Sequence, residues 1–277
     1  MSNWLINFLS AAMGAISGFL VGINTGNMLL AVMAAFGAGA FGAFLYGFLI
    51  ISLRANQVVS GLALTIFGTG VASMLGKKVV GTRVPDSIAA FSSKIEVPIL
   101  SKIPIIGPSL FKQDLFVYLG YIMVIVVAVY LYKTTRGLNA AAVGENPAAA
   151  DAASISITMN KYIHTLIGGG LAGLGGAYIS LIYVPSWQEN ITAGRGWIAV
   201  ALVIFANWNP LIAFAGALLF GGLDIIGLRV NLPISQHLFA ALPYLVTVLV
   251  LVITSMRKSG RKARPASLGT AYFKEER

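Results

Sequence analysis

The 277-residue chain contains no cysteine, and charged side chains make up only 10% of it. Without a thiol, the chain can form neither a disulfide nor a thiolate metal site. Soluble globular proteins carry about 25% charged residues, so the charges here could not cover the surface of a soluble domain. Hydrophobic residues reach 57%, and the mean hydropathy is +0.84. The composition therefore indicates a membrane protein.

Motifs of the common catalytic sites are also missing from the sequence. It contains no G-x-x-x-x-G-K-[ST], no H-E-x-x-H and no G-x-S-x-G. The nearest approach to a phosphate-binding loop begins at Gly70, but it has one residue too many between its glycines and no hydroxyl residue after Lys77. We therefore expect a chain that is not an enzyme, that holds no cofactor or metal, and that does not hydrolyse ATP itself.

Apolar segments long enough for membrane helices run through most of the chain. A spanning helix needs roughly 20 largely apolar residues. The candidates are residues 5–22, 28–53, 57–76, 115–132, 162–184, 197–206, 211–228 and 237–254. The sixth is too short to span alone, so it is either a half-helix or continuous with its neighbour. The sequence predicts an all-α, polytopic transmembrane helical bundle of about seven to eight spans.

The net charge of +10 is concentrated at the C-terminus, which sets the expected orientation. The transmembrane domain is expected at residues 1–254, and the tail 255–277 holds seven Lys or Arg against two Glu. A basic segment next to a span is typical of the cytoplasmic side. Counting the spans back from this cytoplasmic tail places loop 133–161 inside and loop 77–114 outside. Loop 77–114 carries six cations, which would favour the inside, but they are spread along a long loop, where the rule weakens. The tail is short and nearly without aromatics, which argues against nucleic-acid binding.

The loop at residues 133–161 is the one long polar interruption between spans that looks suited to a protein partner. Asn146 can cap a helix there, with Pro147 at its first position, where a missing N–H costs nothing. Asp151 is expected in the first turns, where the helix dipole favours an anion. The alternative interpretation is an ordinary inter-span loop. We favour a capped helix that another protein binds.

The third span has one small and polar side. Residues of this side recur at four-residue spacing or lie beside that row: Gln57, Ser60, Gly61, Thr65, Gly68, Thr69, Ala72 and Ser73. Bulky apolar residues occupy the opposite side, and Leu64 interrupts the polar one. Such a stripe indicates either close helix packing or a water-lined path, and the sequence leaves both open. The glycines of segment 168–176 are expected to permit tight helix crossing.

The segment 186–196 is richer in polar groups than a simple turn requires. It contains Trp187, Asn190, Thr192 and Arg195 and leads into the short sixth segment. In transporters, such an arrangement often places irregular backbone near the substrate.

Several residues in or near the spans have two possible roles. Trp187, Trp197 and Trp208 fit the aromatic belt of a membrane protein first and ligand stacking second. His164 and His237 stand isolated at span ends and are expected at the interface. Asp224, the only acid inside a predicted span, either pairs locally with Arg229 or faces protein or water.

Four separated segments resemble one protein family. Residues 137–151, GLNAAAVGENPAAAD, resemble the cytoplasmic coupling loop of permease subunits in bacterial ABC importers of the ribose and branched-chain amino acid type. Residues 53–62, 192–199 and 204–210 are similar to the second, shorter permease of nucleoside and simple-sugar importers. The resemblance extends from about Met13 to Tyr272. Family members usually open with a further span ending in Asn-Ile-Gly-x-Glu-Gly, and this sequence is expected to begin roughly where that motif would end.

The resemblance implies a multi-pass permease of the cell membrane that works with other proteins. These are a sister permease, cytoplasmic ATPase subunits that bind the ATP, and an extracytoplasmic substrate-binding lipoprotein. The expected ATPase-coupling residues are Gly144, Glu145, Asn146, Pro147 and Asp151. The expected substrate pathway comprises Gln57, Ser60, Thr65, Thr69, Trp187, Asn190, Thr192, Arg195 and Trp208.

Uncharged polar groups of this kind favour a neutral polyhydroxylated solute, such as a nucleoside or sugar. The rival function is a self-sufficient channel or secondary transporter for a small neutral solute. That function would require intramembrane ionisable groups for ion or proton coupling, and Asp224 is the sole acidic candidate.

Overall fold

A computed structural model describes residues 3–98, 101, 106–192, 195–229, 245–246, 248–249, 252 and 267. The helices are α1 (Asn3–Thr25), α2 (Met28–Gly47), α3 (Gln57–Gly76), α4 (Asp86–Ala89), α5 (Ile106–Phe111), α6 (Leu115–Lys133), α7 (Thr135–Glu145), α8 (Pro147–Ala152), α9 (Ile157–Tyr178), α10 (Arg195–Phe205) and α11 (Pro210–Arg229). A π-helical turn extends α2 over Phe48–Ser52, and another extends α9 over Ile179–Tyr183. Two short strands, β1 (Ile95–Glu96) and β2 (Lys112–Gln113), pair antiparallel.

Five helices in the described part of the chain are long and apolar enough to cross a membrane. They are α1, α2 with its π-helical turn, α3, α6, and α9 with its π-helical turn. The first five predicted spans are thus confirmed. The fifth begins at Ile157 rather than at residue 162. The predicted span 237–254 lies outside the described residues, apart from five positions within it.

The short sixth segment is a separate half-helix, which settles the alternative that the sequence left open. Helix α10 has 11 residues, about 16 Å at 1.5 Å per residue, too short to cross a bilayer. Asn207 and Trp208, both with positive φ, then turn the chain away from the α10 axis. Asn209 caps α11 by accepting from the Leu211 amide at 2.9 Å. Helix α10 is therefore not continuous with α11.

Helix α1 forms the centre of the bundle, packed against α2, α3 and α9. Its side chains Ala15 and Phe19 are fully buried. The helices come close because glycines face one another: a Cβ on Gly14 would collide with the Gly173 backbone, and one on Gly176 would collide with the Ala11 carbonyl. The expectation that the glycine-rich segment of α9 serves tight helix crossing is confirmed.

The outer helices present apolar side chains to their surroundings. In α6, only Ala128 is buried, while Ile122, Ile125 and Val129 are more than half exposed. In α3, the bulky side that includes Ile66 and Met74 is also exposed. An apolar surface on a helix of spanning length suits contact with lipid or with another membrane subunit.

The loop 77–114 is folded where it is described. Its strands β1 and β2 carry an ion pair, with Lys112 Nζ 2.5 Å from Glu96 Oε1. Hydrogen bonding to the Lys112 ammonium and its charge hold the pKa of Glu96 below its usual value. Both side chains are about half exposed, so the pair contributes little to stability.

Backbone hydrogen bonds join loop 77–114 to the segment that follows α9. The amide of Gly81 donates to the Trp187 carbonyl at 2.9 Å, and the Trp187 amide donates to the Thr82 carbonyl at 3.1 Å. Val84 donates to the Pro185 carbonyl at 3.2 Å. The two segments predicted to lie outside therefore share one end of the molecule.

Candidate functional site: a cleft and a polar loop at opposite ends

A small cleft lies where α1, α3 and the segment after α9 meet. The lining residues are Ala12, Ala15, Thr69, Ala72, Ser73, Trp187, Asn190, Ile191 and Thr192. Four of the nine predicted pathway residues are thus brought together: Thr69, Trp187, Asn190 and Thr192. The cleft carries hydroxyl, amide and indole groups but no ionisable side chain. It has room for about one water molecule, so a sugar or nucleoside could enter only after the surrounding elements move apart.

Trp187 forms the aromatic wall of the cleft. Its side chain is 2% exposed, and its ring lies 5.6 Å from that of Phe19, centroid to centroid. The interpretation as an aromatic-belt residue is wrong for Trp187, because the backbone bonds to Gly81 and Thr82 draw it into the core. Its indole Nε1 is buried without a hydrogen-bond partner among the described residues. This nitrogen packs against Gly76 of α3.

Asn190 and Thr192 form the irregular part of the cleft. Asn190 has φ +59°, a left-handed conformation that asparagine tolerates better than most residues. It is exposed, whereas Thr192 is half-buried. The expectation of irregular backbone in this segment is confirmed, and its polar groups stand at the open side of the cleft.

The polar side of α3 faces inward, and the interpretation of close helix packing is confirmed for its middle. Near its middle, a Cβ on Gly68 would collide with the Leu9 side chain, so this part packs tightly against α1. The Thr65 hydroxyl donates to the Gly61 carbonyl at 2.8 Å, and the Thr69 hydroxyl donates to the Thr65 carbonyl at 3.1 Å. Because the proton of the Thr69 hydroxyl is used within the helix, this hydroxyl, which lines the cleft, offers an entering solute its acceptor lone pairs.

Other predicted pathway residues lie away from the cleft. Gln57 and Ser60 are at the opposite end of α3, with Gln57 about 18 Å along the axis from Thr69. Trp208 lies in the turn after α10, at the far end of that helix from Arg195. The Arg195 guanidinium carbon stands 4.7 Å from the centre of the Tyr183 ring, a cation–π geometry. The structure thus assembles four of the predicted residues and leaves five outside the cleft: these four and Thr65.

The polar loop 133–161 is mostly helical. Helix α7 ends at Glu145, and α8 begins at Pro147. Asn146 Oδ1 accepts from the Ala149 amide at 3.0 Å, which confirms the predicted cap with proline at the first helical position. The expectation for Asp151 is wrong: α8 ends at Ala152, so Asp151 lies near its C-terminal end, and the dipole gives it no support.

A hydrogen-bonded joint connects α7 to the spans α6 and α9. The Thr134 hydroxyl donates to the Tyr130 carbonyl at 2.6 Å and accepts from the Gly137 amide at 3.1 Å. The Tyr130 hydroxyl lies 3.1 Å from His164 Nε2, and His164 Nδ1 lies 2.7 Å from the Asn160 carbonyl. A carbonyl can only accept, so Nδ1 carries a proton toward Asn160, which in a neutral imidazole leaves Nε2 as the acceptor for the tyrosine hydroxyl.

The expectation that His164 stands isolated is therefore wrong, while its position at the interface stays a prediction. The residue is half-buried and bonded to a residue 34 positions earlier. Sequence reasoning also missed Tyr130, Thr134 and Gly137, and the only local signal was a threonine followed three residues later by glycine at the end of an apolar run. The side chains of Asp224 and Trp197 and all of His237 lie outside the described residues.

Asp114 is a further residue that the sequence interpretation overlooked. Its Oδ1 caps α6 by accepting from the amides of Phe116 at 2.9 Å and Val117 at 3.0 Å. Its Oδ2 accepts from the Tyr178 hydroxyl at 3.0 Å and so ties α6 to α9 at the end that holds the cleft. An acid placed directly before an apolar run was the available signal.

Comparison with known proteins agrees with this architecture. The chain is 36% identical to a putative glucose ABC transporter permease protein of Haloferax volcanii, over 95% of this chain and 86% of that protein. It is 33% identical to a guanosine ABC transporter permease protein of Bacillus subtilis, over 90% of this chain and 78% of that protein. A nucleoside ABC transporter permease protein of Lactococcus lactis is 31% identical to the chain, over 95% of this chain and 85% of that protein. No solved structure matches the chain.

A family model described as "branched-chain amino acid transport system / permease component" matches residues 9–253. This match covers the described spans, the cleft and the polar loop. It favours a permease subunit over the self-sufficient channel or secondary transporter that the sequence left open. The chain belongs to this permease family and is a multi-pass helical protein of the cell membrane, not an enzyme.

Proposed function

We propose that the chain is the permease subunit of an ABC importer that moves nucleosides or simple sugars into the cell. The observation that carries this proposal is the cleft, which offers an indole, an amide and hydroxyls and no charged side chain. Recognition of an amino acid would require groups that pair with its carboxylate and ammonium. The relatives named for glucose, guanosine and nucleosides support the same solute class.

The proposed importer contains a sister permease, two ATPase subunits that bind the ATP, and an extracytoplasmic binding lipoprotein. The ATPase subunit binds loop 133–161, and the contact includes Gly144, Glu145, Asn146, Pro147 and Asp151. Motion of α7 passes to α6 and α9 through the joint at Tyr130 and His164. Because α9 packs on α1, and α1 lines the cleft, the cycle is a two-state rearrangement that opens the cleft to each side in turn.

The test is uptake by the importer reconstituted in vesicles with its neighbouring subunits. Radiolabelled nucleosides, pentoses, glucose and branched-chain amino acids are offered separately, with ATP on the ATPase side. We expect ATP-dependent uptake of a nucleoside or sugar. Uptake of branched-chain amino acids alone would overturn the solute class.

Copurification tests the partner set. We expect the tagged chain, expressed with its neighbouring genes, to retain a nucleotide-binding subunit and a second permease. Recovery of the chain alone, with full transport activity, would overturn the importer assignment.

A further inference from the structure

One arginine lies inside the bundle, close to the cleft. The Trp187 ring packs against that of Phe19, and farther along the chain a Cβ on Gly196 would collide with the Phe8 ring. From Phe19 back to Phe8, the axis of α1 covers about 16 Å at 1.5 Å per residue. Both contacts fall within the apolar stretch of α1 that is long enough to span a membrane. Arg195, which directly precedes Gly196, therefore lies between the two ends of the bundle.

The guanidinium group of Arg195 pairs with no carboxylate in the described part of the chain. Its Nη1 is buried there without a hydrogen-bond partner, and its central carbon stands 4.7 Å from the centre of the Tyr183 ring. Ser180, three residues before Tyr183, donates to the Ala15 carbonyl at 3.0 Å, and Ala15 lines the cleft. The charge is therefore held close to the level of the cleft. Ionisable groups at such depth are costly, and they often mark ion pathways.

This positive charge is within electrostatic reach of the cleft. Thr192 lines the cleft, and three residues of chain span at most about 11 Å, so the Cα atoms of Thr192 and Arg195 are no farther apart than that. Exposed charges are largely screened from each other beyond about 8–10 Å in physiological salt, whereas a charge enclosed by protein is screened much less. The side chains that line the cleft carry no charge that would offset it. A positive potential therefore extends into the cleft.

We propose that Arg195 is an electrostatic barrier that keeps inorganic cations out of the solute path. This inference rests on the proposed function. The hydroxyl and amide oxygens of the cleft suit a polyhydroxylated solute, but oxygen dipoles also replace the water around an alkali cation. The uncharged lining alone therefore does not reject Na⁺ or K⁺. A fixed guanidinium repels any cation and leaves a neutral solute unaffected, so the path can open without dissipating the membrane potential.

Cation leak through the reconstituted importer tests this barrier. Vesicles that hold the importer with its neighbouring subunits are given ATP and radioactive rubidium ion, a K⁺ analogue. Arg195→Gln and Arg195→Met remove the charge, Arg195→Lys keeps it, and Arg83→Gln removes an exposed arginine of loop 77–114 as the matched control. Two unit charges about 10 Å apart, at an effective dielectric constant of about 20, repel enough to change a rate roughly ten-fold. We expect rubidium to enter roughly ten-fold faster in both neutral variants, and at the wild-type rate in Arg195→Lys and Arg83→Gln.

Three results would overturn the barrier. The first is rubidium entry at the wild-type rate in both neutral variants while ATP hydrolysis continues. The second is an equal leak in Arg195→Lys and Arg195→Gln, because the shape of the side chain rather than its charge would then close the path. The third is that neither neutral variant assembles while Arg195→Lys does, because the charge would then serve folding. Failure of the wild-type importer to take up any nucleoside or sugar would instead overturn the proposed function, and the rubidium comparison would still decide the barrier.

Discussion

At the residue scale, the position of Trp187 depends on the absence of a side chain at Gly76. Its indole occupies the space that a side chain at Gly76 would fill, so the glycine is required by contact rather than by backbone conformation. Sequence reasoning selected Trp187 as a pathway residue but could not find this contact, because 111 positions separate the two residues. Periodicity identifies which side of α3 faces inward, and only the fold identifies what that side meets.

Replacing Gly76 with alanine should therefore destabilise the protein and disturb the cleft. The new Cβ would collide with the Trp187 indole, and overpacking of this kind costs about 1–3 kcal/mol. Thermal unfolding in detergent measures the loss. Gly70→Ala is the matched control, since nothing lies within 4 Å of a Cβ there and alanine favours the helix. Equal melting temperatures for the two variants would contradict this account of Trp187.

Removing the Tyr130 hydroxyl should weaken the transfer of motion from the loop to the spans. Tyr130→Phe keeps the ring and leaves His164 Nε2 without its donor, so α6 and α9 lose a direct bond. We expect more ATP hydrolysed per solute imported, with assembly unchanged, measured in the reconstituted importer. Tyr132→Phe is the control, because that side chain is 57% exposed on the same helix. A wild-type ratio in Tyr130→Phe would show that the joint does not carry the coupling.

At the element scale, the glycines of α9 divide into two groups that the sequence alone does not separate. Gly169, Gly173 and Gly176 face neighbouring backbones, whereas Gly168 and Gly175 face open space. The sequence correctly predicted close packing from their density. It could not predict which side of α9 is packed, because six of the nine residues at 168–176 are glycine and they occur on most sides of the helix. Long apolar runs likewise predicted the start and end of α3, while the start of α9 was missed because residues 157–161 include polar Asn160 and Lys161.

Gly173→Ala should prevent the close approach of α9 and α2. A Cβ at this position would collide with the Ala35 carbonyl, a backbone atom that cannot rotate away. We expect a large loss of monodisperse protein in size-exclusion chromatography of the detergent extract. Gly175→Ala, with nothing within 4 Å, should behave as wild type. Similar yields from both would refute the assignment of the packed side.

At the scale of the whole molecule, the structure separates the cleft from the polar loop. Loop 77–114 and the cleft share one end, and the joint at Tyr130 lies at the other end of α6 from Asp114. The alternation of spans predicted this separation. The pairing of residues 81–84 with 185–187 could not be predicted, because turns of this kind carry no periodic pattern. The orientation in the membrane remains a prediction from the basic tail.

Labelling of single cysteines tests that orientation directly, since the chain has no cysteine of its own. Ser93→Cys lies in loop 77–114 and Ala148→Cys in loop 133–161, and both positions are exposed. A membrane-impermeant maleimide applied to intact cells should label the first and spare the second. After permeabilisation, both should react. The reverse pattern would invert the topology.

The three backbone hydrogen bonds between residues 81–84 and 185–187 have a consequence for how the cleft can open. They join the chain just beyond α3 to the chain just beyond α9 and so form a backbone clamp between the ends of these two helices. Trp187 is part of this clamp. An opening of the cleft that kept the clamp intact would have to move α1 away from α3 and α9. The clamped residues would then keep slow amide exchange throughout the transport cycle, and the moving hinge would belong to α1.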